Sequence, residues 1–123
     1  MIAALLLVAG SAANAATVEA GDTGLAYTQC LFTSSRAAHQ AGMSVSAFER
    51  SLAGACLSEQ RALERASTRL FSLRGEPDPS GQARSMSEDA RRQVVETYRQ
   101  TLELAPQLER MGEICRADPS QCR

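Results

Sequence analysis

The stretch from Ser44 to Arg74, SVSAFERSLAGACLSEQRALERASTRLFSLR, decides the fold because it reads as one long amphipathic helix. Its apolar positions and one carboxylate recur at steps of three or four, the spacing that lines a single helical face. These positions are Val45, Phe48, Leu52, Cys56, Glu59, Leu63, Ala66, Leu70 and Leu73. We therefore expect a helix over 44–74, with Ser44 or Ser46 as its N-cap and Gly75 as its stop.

A second amphipathic segment precedes this helix and predicts a first helix over 23–41. Its apolar and small positions are Leu25, Tyr27, Cys30, Leu31, Phe32, Ser34, Ala37, Ala38 and Ala41. Because only Gly42 and Met43 separate the two segments, we expect the helices to form an antiparallel hairpin. That geometry fixes which residues face each other, and it places Cys30 opposite Cys56.

The same register brings a polar pair into the apolar seam of the hairpin, with Tyr27 opposite Glu59. A carboxylate on an apolar stripe is a local conflict of the kind that can mark a functional site. We favour a structural role, in which Glu59 accepts a hydrogen bond from the Tyr27 hydroxyl or from an arginine, because no second acid and no metal ligand accompanies it.

The remainder of the chain predicts one loop and one more helix. Residues 75–84 contain two prolines and two glycines, which is typical of a mobile loop. A third helix is expected over 86–115, with Ser85 or Ser87 as its N-cap. Its stripe can close over the hairpin through Ala90, Val94, Val95, Tyr98, Leu102, Ala105, Leu108 and Gly112. Pro106 interrupts the stripe, so we expect a kink or a split there. The expected fold is an all-α domain of three principal helices.

The N-terminus has the pattern of a secretory signal peptide. An apolar run over residues 2–9, too short to span a bilayer, leads to an Ala-x-Ala sequence that ends at Ala15. We expect cleavage after Ala15, with the bond after Ala16 as second choice. This assigns 1–15 to the signal and 16–123 to a single small domain. No basic residue precedes the apolar run, and an N-terminal buried helix is the alternative.

Composition agrees with export. No later apolar stretch is long enough to span a membrane, so the mature chain should have no membrane span. All thirteen basic residues are arginine and alanine is abundant, a composition typical of GC-rich bacterial genes. We therefore expect a bacterial protein of the periplasm or the medium.

An oxidising compartment favours pairing of the four cysteines, which allow three connectivities. We expect Cys30 with Cys56 and Cys115 with Cys122; the alternative joins the C-terminal cysteines to the hairpin. The first bond would close a loop of about 27 residues and stabilise the fold by roughly 3 to 4 kcal/mol. The second would staple the C-terminus.

Arg61, Arg65 and Arg69 repeat every four residues on another face of the long helix. Guanidinium groups make bidentate contacts with carboxylates and phosphates, so this row is a candidate contact strip for a partner that carries such groups. A solvated face is the alternative, since Glu64 can compensate Arg61. The net charge of −1 disfavours nucleic acid as a partner.

The sequence offers no catalytic or cofactor motif. His39 is the only histidine and lies in no zinc-site or protease spacing. A Gly-x-Ser-x-Gly motif and a glycine-rich phosphate loop are absent, and Cys115 and Cys122 lack the Cys-x-x-Cys spacing. We therefore expect no catalytic residues, no cofactor and no metal site.

The leading interpretation is a non-enzymatic exported protein that acts by protein contact in the cell envelope. The alternative is a thiol-redox or small-ligand-binding periplasmic factor.

Overall fold

The computed structural model describes residues 2–123, with side chains from residue 12 onward. Over this range the chain is helical and contains no strand, which confirms the expected all-α fold. The elements are α1 (Ile2–Gln40), α2 (Val45–Ala55), α3 (Leu57–Leu73), α4 (Pro79–Ala117) and a short 3-10 helix, Pro119–Cys122.

The helices form an antiparallel hairpin with a third layer across it. α1 runs antiparallel to α2 and α3, and an ion pair of 2.8 Å between Glu19 and Arg69 joins α1 to the far end of α3. α4 then runs parallel to α1. The ring of His39 on α1 lies 6.3 Å from the ring of Tyr98 on α4, so α1 ends level with that tyrosine.

The core lies where these helices meet and is centred on Phe48, which is fully buried. Its ring lies 4.4 Å from that of Tyr98, whose hydroxyl donates a 2.6 Å hydrogen bond to the carbonyl of Met43. The core residues are Tyr27, Leu31, Ala38, Phe48, Leu52, Cys56, Leu63, Val95 and Tyr98. Leu25 and Phe32, which we expected on the inner face of the first helix, are exposed.

Both predicted disulfides are confirmed. Cys30 and Cys56 are bonded, with their Cα atoms 5.9 Å apart, and this bond joins the middle of α1 to the junction of α2 and α3. Cys115 and Cys122 are bonded with a Cα distance of 5.7 Å, and their bond folds the 3-10 helix back on the end of α4. All four cysteines are therefore paired.

The single helix expected over 44–74 is two helices in the structure. Cys56 leaves the helical conformation, with φ −115° and ψ 22°. Gly54, two residues earlier, weakens the helix locally, and the disulfide from Cys56 fixes the break against α1. The hydroxyl of Ser44 caps α2, so of the two N-caps considered the structure uses the first.

Other boundaries also differ from expectation. α1 includes residues 2–22, which we placed before the first helix; the alanine-rich composition of this segment favours a helix. The expected cleavage site lies within α1, and Ala16 is buried. The assignment of residues 1–15 to a signal peptide stays a prediction.

The loop expected over 75–84 is shorter, because α4 begins at Pro79. Asp78 adopts a φ of 48°, and its carboxylate accepts a hydrogen bond from the Gly81 N–H at 3.3 Å. Proline suits the first helical position because an N–H at that position has no acceptor within the helix, so nothing is lost when the residue lacks one. Ser85 and Ser87, the two N-caps that we considered, both lie within the helix, and Asp78 is its N-cap.

The split expected at Pro106 does not occur, and α4 continues to Ala117. Leu102 still packs against the core, as expected, whereas Leu108, which we expected to cover the hairpin, is exposed. No helix in the described part of the chain is long and apolar enough to cross a membrane.

Candidate functional site: an arginine groove between α3 and α4

A surface groove of about 440 Å³ lies between α3 and the first turns of α4. Its lining residues are Arg61, Glu64, Arg65, Thr68, Arg69, Ser80 and Arg84. The groove therefore contains all three arginines of the predicted contact strip and a fourth arginine from the other wall. We call it the arginine groove.

Helical spacing builds both walls of the arginine groove. On α3 the arginines stand one turn apart, and on α4 the four-residue step from Ser80 to Arg84 places both on one face. The Thr68 hydroxyl donates back to the Glu64 carbonyl at 2.6 Å, so it is bonded within α3. Sequence reasoning missed Arg84 because we assigned it to a loop; a helix beginning at Pro79 is the signal that places it here.

Glu64 lies at the edge of the groove but does not neutralise it. Its Oε1 atom accepts hydrogen bonds from the Ser87 hydroxyl at 2.6 Å and from the Gln60 amide at 3.1 Å. Among the described side chains it forms no ion pair with Arg61 or Arg65, so the expected compensation of Arg61 by Glu64 is not observed as a contact.

Of the four groove arginines, only Arg69 has an ion-pair partner among the described residues, namely Glu19. Both side chains are exposed, and such surface pairs contribute only about 0 to 1 kcal/mol because water screens them. Arg61, Arg65 and Arg84 are exposed and form no ion pair within the described part of the chain.

The predicted seam pair of Tyr27 and Glu59 is not formed. The Tyr27 hydroxyl donates to the Ser87 carbonyl at 3.3 Å, and Glu59 Oε2 is buried with no hydrogen-bond partner among the described residues. The helix breaks at Cys56, between the disulfide and Glu59, so the register set by the disulfide need not continue into α3. Extrapolation from the disulfide alone was therefore wrong at this position.

Tyr27 is almost fully buried, and burial raises the pKa of its phenol. The positive charge of Arg91 opposes this rise, and the negative charge of Glu64 adds to it. The phenol is therefore a neutral structural donor. Ser87, whose hydroxyl and carbonyl bond to Glu64 and Tyr27, links the arginine groove to the core.

His39, another candidate considered in the sequence, lies outside the arginine groove. The structure places His39 at the exposed end of α1. Within the described residues no group of three or more His, Cys, Asp or Glu side chains could hold a metal ion. A second groove of about 340 Å³ between α1 and α4 has no charged residue in its lining, which consists of Thr28, Leu31, Phe32, Ala90, Gln93, Val94 and Thr97.

This chain matches no protein-family model, and no curated protein and no solved structure shows significant similarity to it. Its own fold and surface therefore define what it is: a small all-helical domain with two disulfides and a basic groove.

Proposed function

We propose that this chain is a small exported, non-enzymatic protein that acts by protein contact in the cell envelope, with the arginine groove as its contact surface. The partner is a protein segment that carries carboxylates. The observation that supports this proposal is that Arg61, Arg65 and Arg84 line one groove and have no ion pair with any described side chain, while Glu64 is bonded to Ser87 and Gln60.

Like charges on two packed helices repel each other, and an anionic segment between them removes that repulsion. Arginine suits the task because its planar guanidinium binds a carboxylate through two hydrogen bonds. Successive arginines of the α3 row are about 6 Å apart along the helix axis. Alternate side chains of an extended strand repeat at about 6.7 Å, so an extended segment with an acid at every second residue matches the row.

A protein partner fits the groove better than a nucleic acid. None of the lining residues is aromatic, so the groove has no platform on which bases could stack. The net charge of the chain is −1, which gives no overall attraction for a polyanion. Export is supported by the Ala-x-Ala pattern, and the two disulfides are compatible with an oxidising compartment.

The test is fluorescence anisotropy with a labelled peptide that carries glutamate at alternate positions. A peptide with the same glutamates in one block, and one with glutamine in their place, serve as controls. The double variant Arg61→Glu/Arg65→Glu should weaken binding of the alternating peptide at least tenfold, which corresponds to about 1.4 kcal/mol.

The matched variant Arg50→Glu/Arg110→Glu makes the same charge change at exposed positions outside the groove. It should change the affinity less than twofold. Equal losses in both variants would show a general charge effect and would exclude the groove as the contact surface.

The thiol-redox alternative stays a prediction for Cys115 and Cys122. Cys122 is exposed, whereas Cys56 of the other pair is buried, so the terminal bond is the one a reductant reaches first. The small-ligand alternative would use the uncharged groove between α1 and α4.

A further inference from the structure

The uncharged groove between α1 and α4 continues into a second, charged half. The uncharged half has a volume of about 340 Å³ and the charged half about 280 Å³. Phe32 and Thr97 line both halves, so the two form one continuous groove, which we call the lateral groove. Its charged half is lined by Phe32, Ser35, Arg36, His39, Thr97, Tyr98 and Thr101.

The lateral groove is long and narrow because its two walls are helices that run parallel. Its lining positions extend from Thr28 to His39 on α1 and from Ala90 to Thr101 on α4. Both stretches are about 16 Å long at the rise of an α-helix. A channel of this shape fits one extended chain better than a compact molecule.

The uncharged half offers apolar surface to such a chain. Leu31 is buried, and Ala90 and Val94 on the opposite wall are half-buried. Phe32, where the two halves meet, is 55% exposed although it lies beside the buried Leu31. An apolar ligand in this half would remove the exposed ring from water, which is favourable in proportion to the area covered.

The charged half has the opposite character. Arg36 is exposed and forms no ion pair within the described part of the chain. The imidazole of His39 stands edge-on to the Tyr98 ring, 6.3 Å between centroids, so it is held against the α4 wall. No acidic residue is among the lining residues of either half.

The other polar groups of the charged half compete little for an anion. The hydroxyls of Thr97 and Thr101 both donate to carbonyls of α4, at 2.9 Å each. The helix dipole places about half a negative charge at the end of α1, which the full positive charge of Arg36 exceeds. An anionic group in this half would therefore bind to the Arg36 guanidinium, with His39 beside it.

We propose that the lateral groove binds a single-chain amphiphile with an anionic head group, a carboxylate or a phosphate. The head group lies at Arg36 and His39, where the guanidinium can donate two hydrogen bonds to it. The alkyl tail runs past Phe32 into the uncharged half, toward Thr28. This site shares no lining residue with the arginine groove, and the proposal does not depend on the function proposed for that groove.

Isothermal titration calorimetry with decanoate, below the concentration at which it forms micelles, tests the proposal. One decanoate should bind per chain. From octanoate to decanoate to dodecanoate, each added methylene should tighten binding about two- to fourfold, as burial of a CH₂ group predicts. Decyl phosphate should bind at least as tightly as decanoate, whereas acetate and inorganic phosphate should show no binding. Inorganic phosphate that binds as tightly as decyl phosphate would overturn the proposal and leave a simple anion site.

Two sets of variants separate the tail contact from the head contact. Phe32→Ala should weaken binding of both decanoate and decanol at least fivefold. Leu25→Ala is the matched control, because Leu25 is an equally exposed apolar residue of α1 outside the groove, and it should change both affinities less than twofold. Because both side chains are exposed, circular dichroism should show unchanged helicity in both variants.

Arg36→Gln/His39→Gln should weaken binding of decanoate at least tenfold but that of decanol less than twofold. The variant Arg61→Gln/Arg65→Gln, which changes the arginine groove, should leave both affinities unchanged. Equal losses in Phe32→Ala and Leu25→Ala, an equal effect of Arg36→Gln/His39→Gln on decanoate and decanol, or no binding of any of these amphiphiles would overturn the proposal. None of these results would bear on the arginine groove, which the glutamate peptide tests separately.

Discussion

The Ser87 hydroxyl donates a 2.6 Å hydrogen bond to Glu64 and thereby holds this carboxylate toward α4 at the edge of the arginine groove. Ser87 is fully buried, so its position is fixed by the packing of α4 and does not depend on solvent. Gln60 supplies a second donor to the same oxygen. Ser87 and Gln60 are uncharged, and their hydrogen bonds hold the Glu64 carboxylate out of contact with the groove arginines. The groove therefore keeps its positive charge because of these two donors.

Replacing Ser87 with alanine should release Glu64 toward the arginines. We expect binding of the alternating glutamate peptide to weaken three- to tenfold, because the freed carboxylate competes with it, and the free energy of unfolding to fall by about 1 to 2 kcal/mol. Peptide anisotropy and urea unfolding measure the two effects. The variant Glu64→Gln is the control: it removes the competing charge and should tighten binding. Weaker binding in both variants would contradict this role for Glu64.

The disulfide between Cys30 and Cys56 should stabilise the fold more than the terminal one. It closes the longer loop and joins α1 to the junction of α2 and α3, whereas Cys115 and Cys122 are seven positions apart. We expect Cys30→Ala/Cys56→Ala to lower the free energy of unfolding by about 3 kcal/mol, and Cys115→Ala/Cys122→Ala to lower it by less than that. Urea denaturation followed by circular dichroism compares them. Equal losses would show that loop length and position do not decide the effect.

The hairpin and its disulfide could be predicted from the sequence because local signals specify them. Gly42 and Gly75 both adopt positive φ values, 66° and 70°, and Gly75 is the stop that we expected for the long helix. The short connection after Gly42 fixes the antiparallel register near the turn, and Cys30 and Cys56 lie close enough to that turn for the register to hold.

Features that depend on distant packing could not be predicted in the same way. The apolar period continues through Cys56, so periodicity alone gave no sign of the break there. The start of α4 was missed because the capping box at Ser85 competed with Asp78 and Pro79, and this error also kept Arg84 out of the candidate site. Periodicity also shows which face of a helix is apolar, but not where its covering partner ends, so the exposure of Leu108 was missed.

Stability should fall at high pH because of Tyr27. Burial raises the pKa of this phenol above its ordinary value of 10.0. As the pH rises past that value, the unfolded chain loses the phenolic proton before the folded chain does, and the unfolded state is favoured. The stabilisation that the neutral Tyr27 phenol gives the folded state is therefore fully present below pH 10 and is lost as the pH rises above the raised pKa of Tyr27.

Urea unfolding at neutral pH and above pH 10 tests this prediction with Tyr27→Phe. This variant should lose about 1 kcal/mol at neutral pH, because the hydrogen bond to Ser87 is gone, but it should show a smaller decline at alkaline pH than the original chain. The variant Tyr98→Phe keeps the Tyr27 phenol, so its free energy of unfolding should still show the decline at alkaline pH that Tyr27 causes. An unchanged alkaline decline in Tyr27→Phe would remove Tyr27 as its cause.

Export should yield a chain that begins at Ala16. Ala16 is buried in α1, and the ion pair between Glu19 and Arg69 lies one turn later. Cleavage after Ala15 therefore leaves both Ala16 and this ion pair in the mature chain. Intact mass of the protein recovered from the periplasm or the medium identifies the first residue. Changing Ala13 and Ala15 to bulky residues should block the Ala-x-Ala pattern and leave the precursor uncleaved. A start at Met1 in the exported protein would show that the segment is not a cleaved signal.

The terminal disulfide should be reduced before the internal one. Cys122 is exposed at the end of the chain, while Cys56 is buried beneath α1, so a thiolate can attack the terminal bond without local unfolding. Brief treatment with dithiothreitol, alkylation and peptide mass mapping should label Cys115 and Cys122 first and leave helicity nearly unchanged. Two results would favour the thiol-redox alternative over the contact function. The terminal disulfide would exchange reversibly with glutathione, and removing it would change a cellular phenotype that the arginine-groove variants leave unchanged. Reduction of the internal pair first would contradict the burial argument, since it requires that α1 open before the exposed terminus reacts.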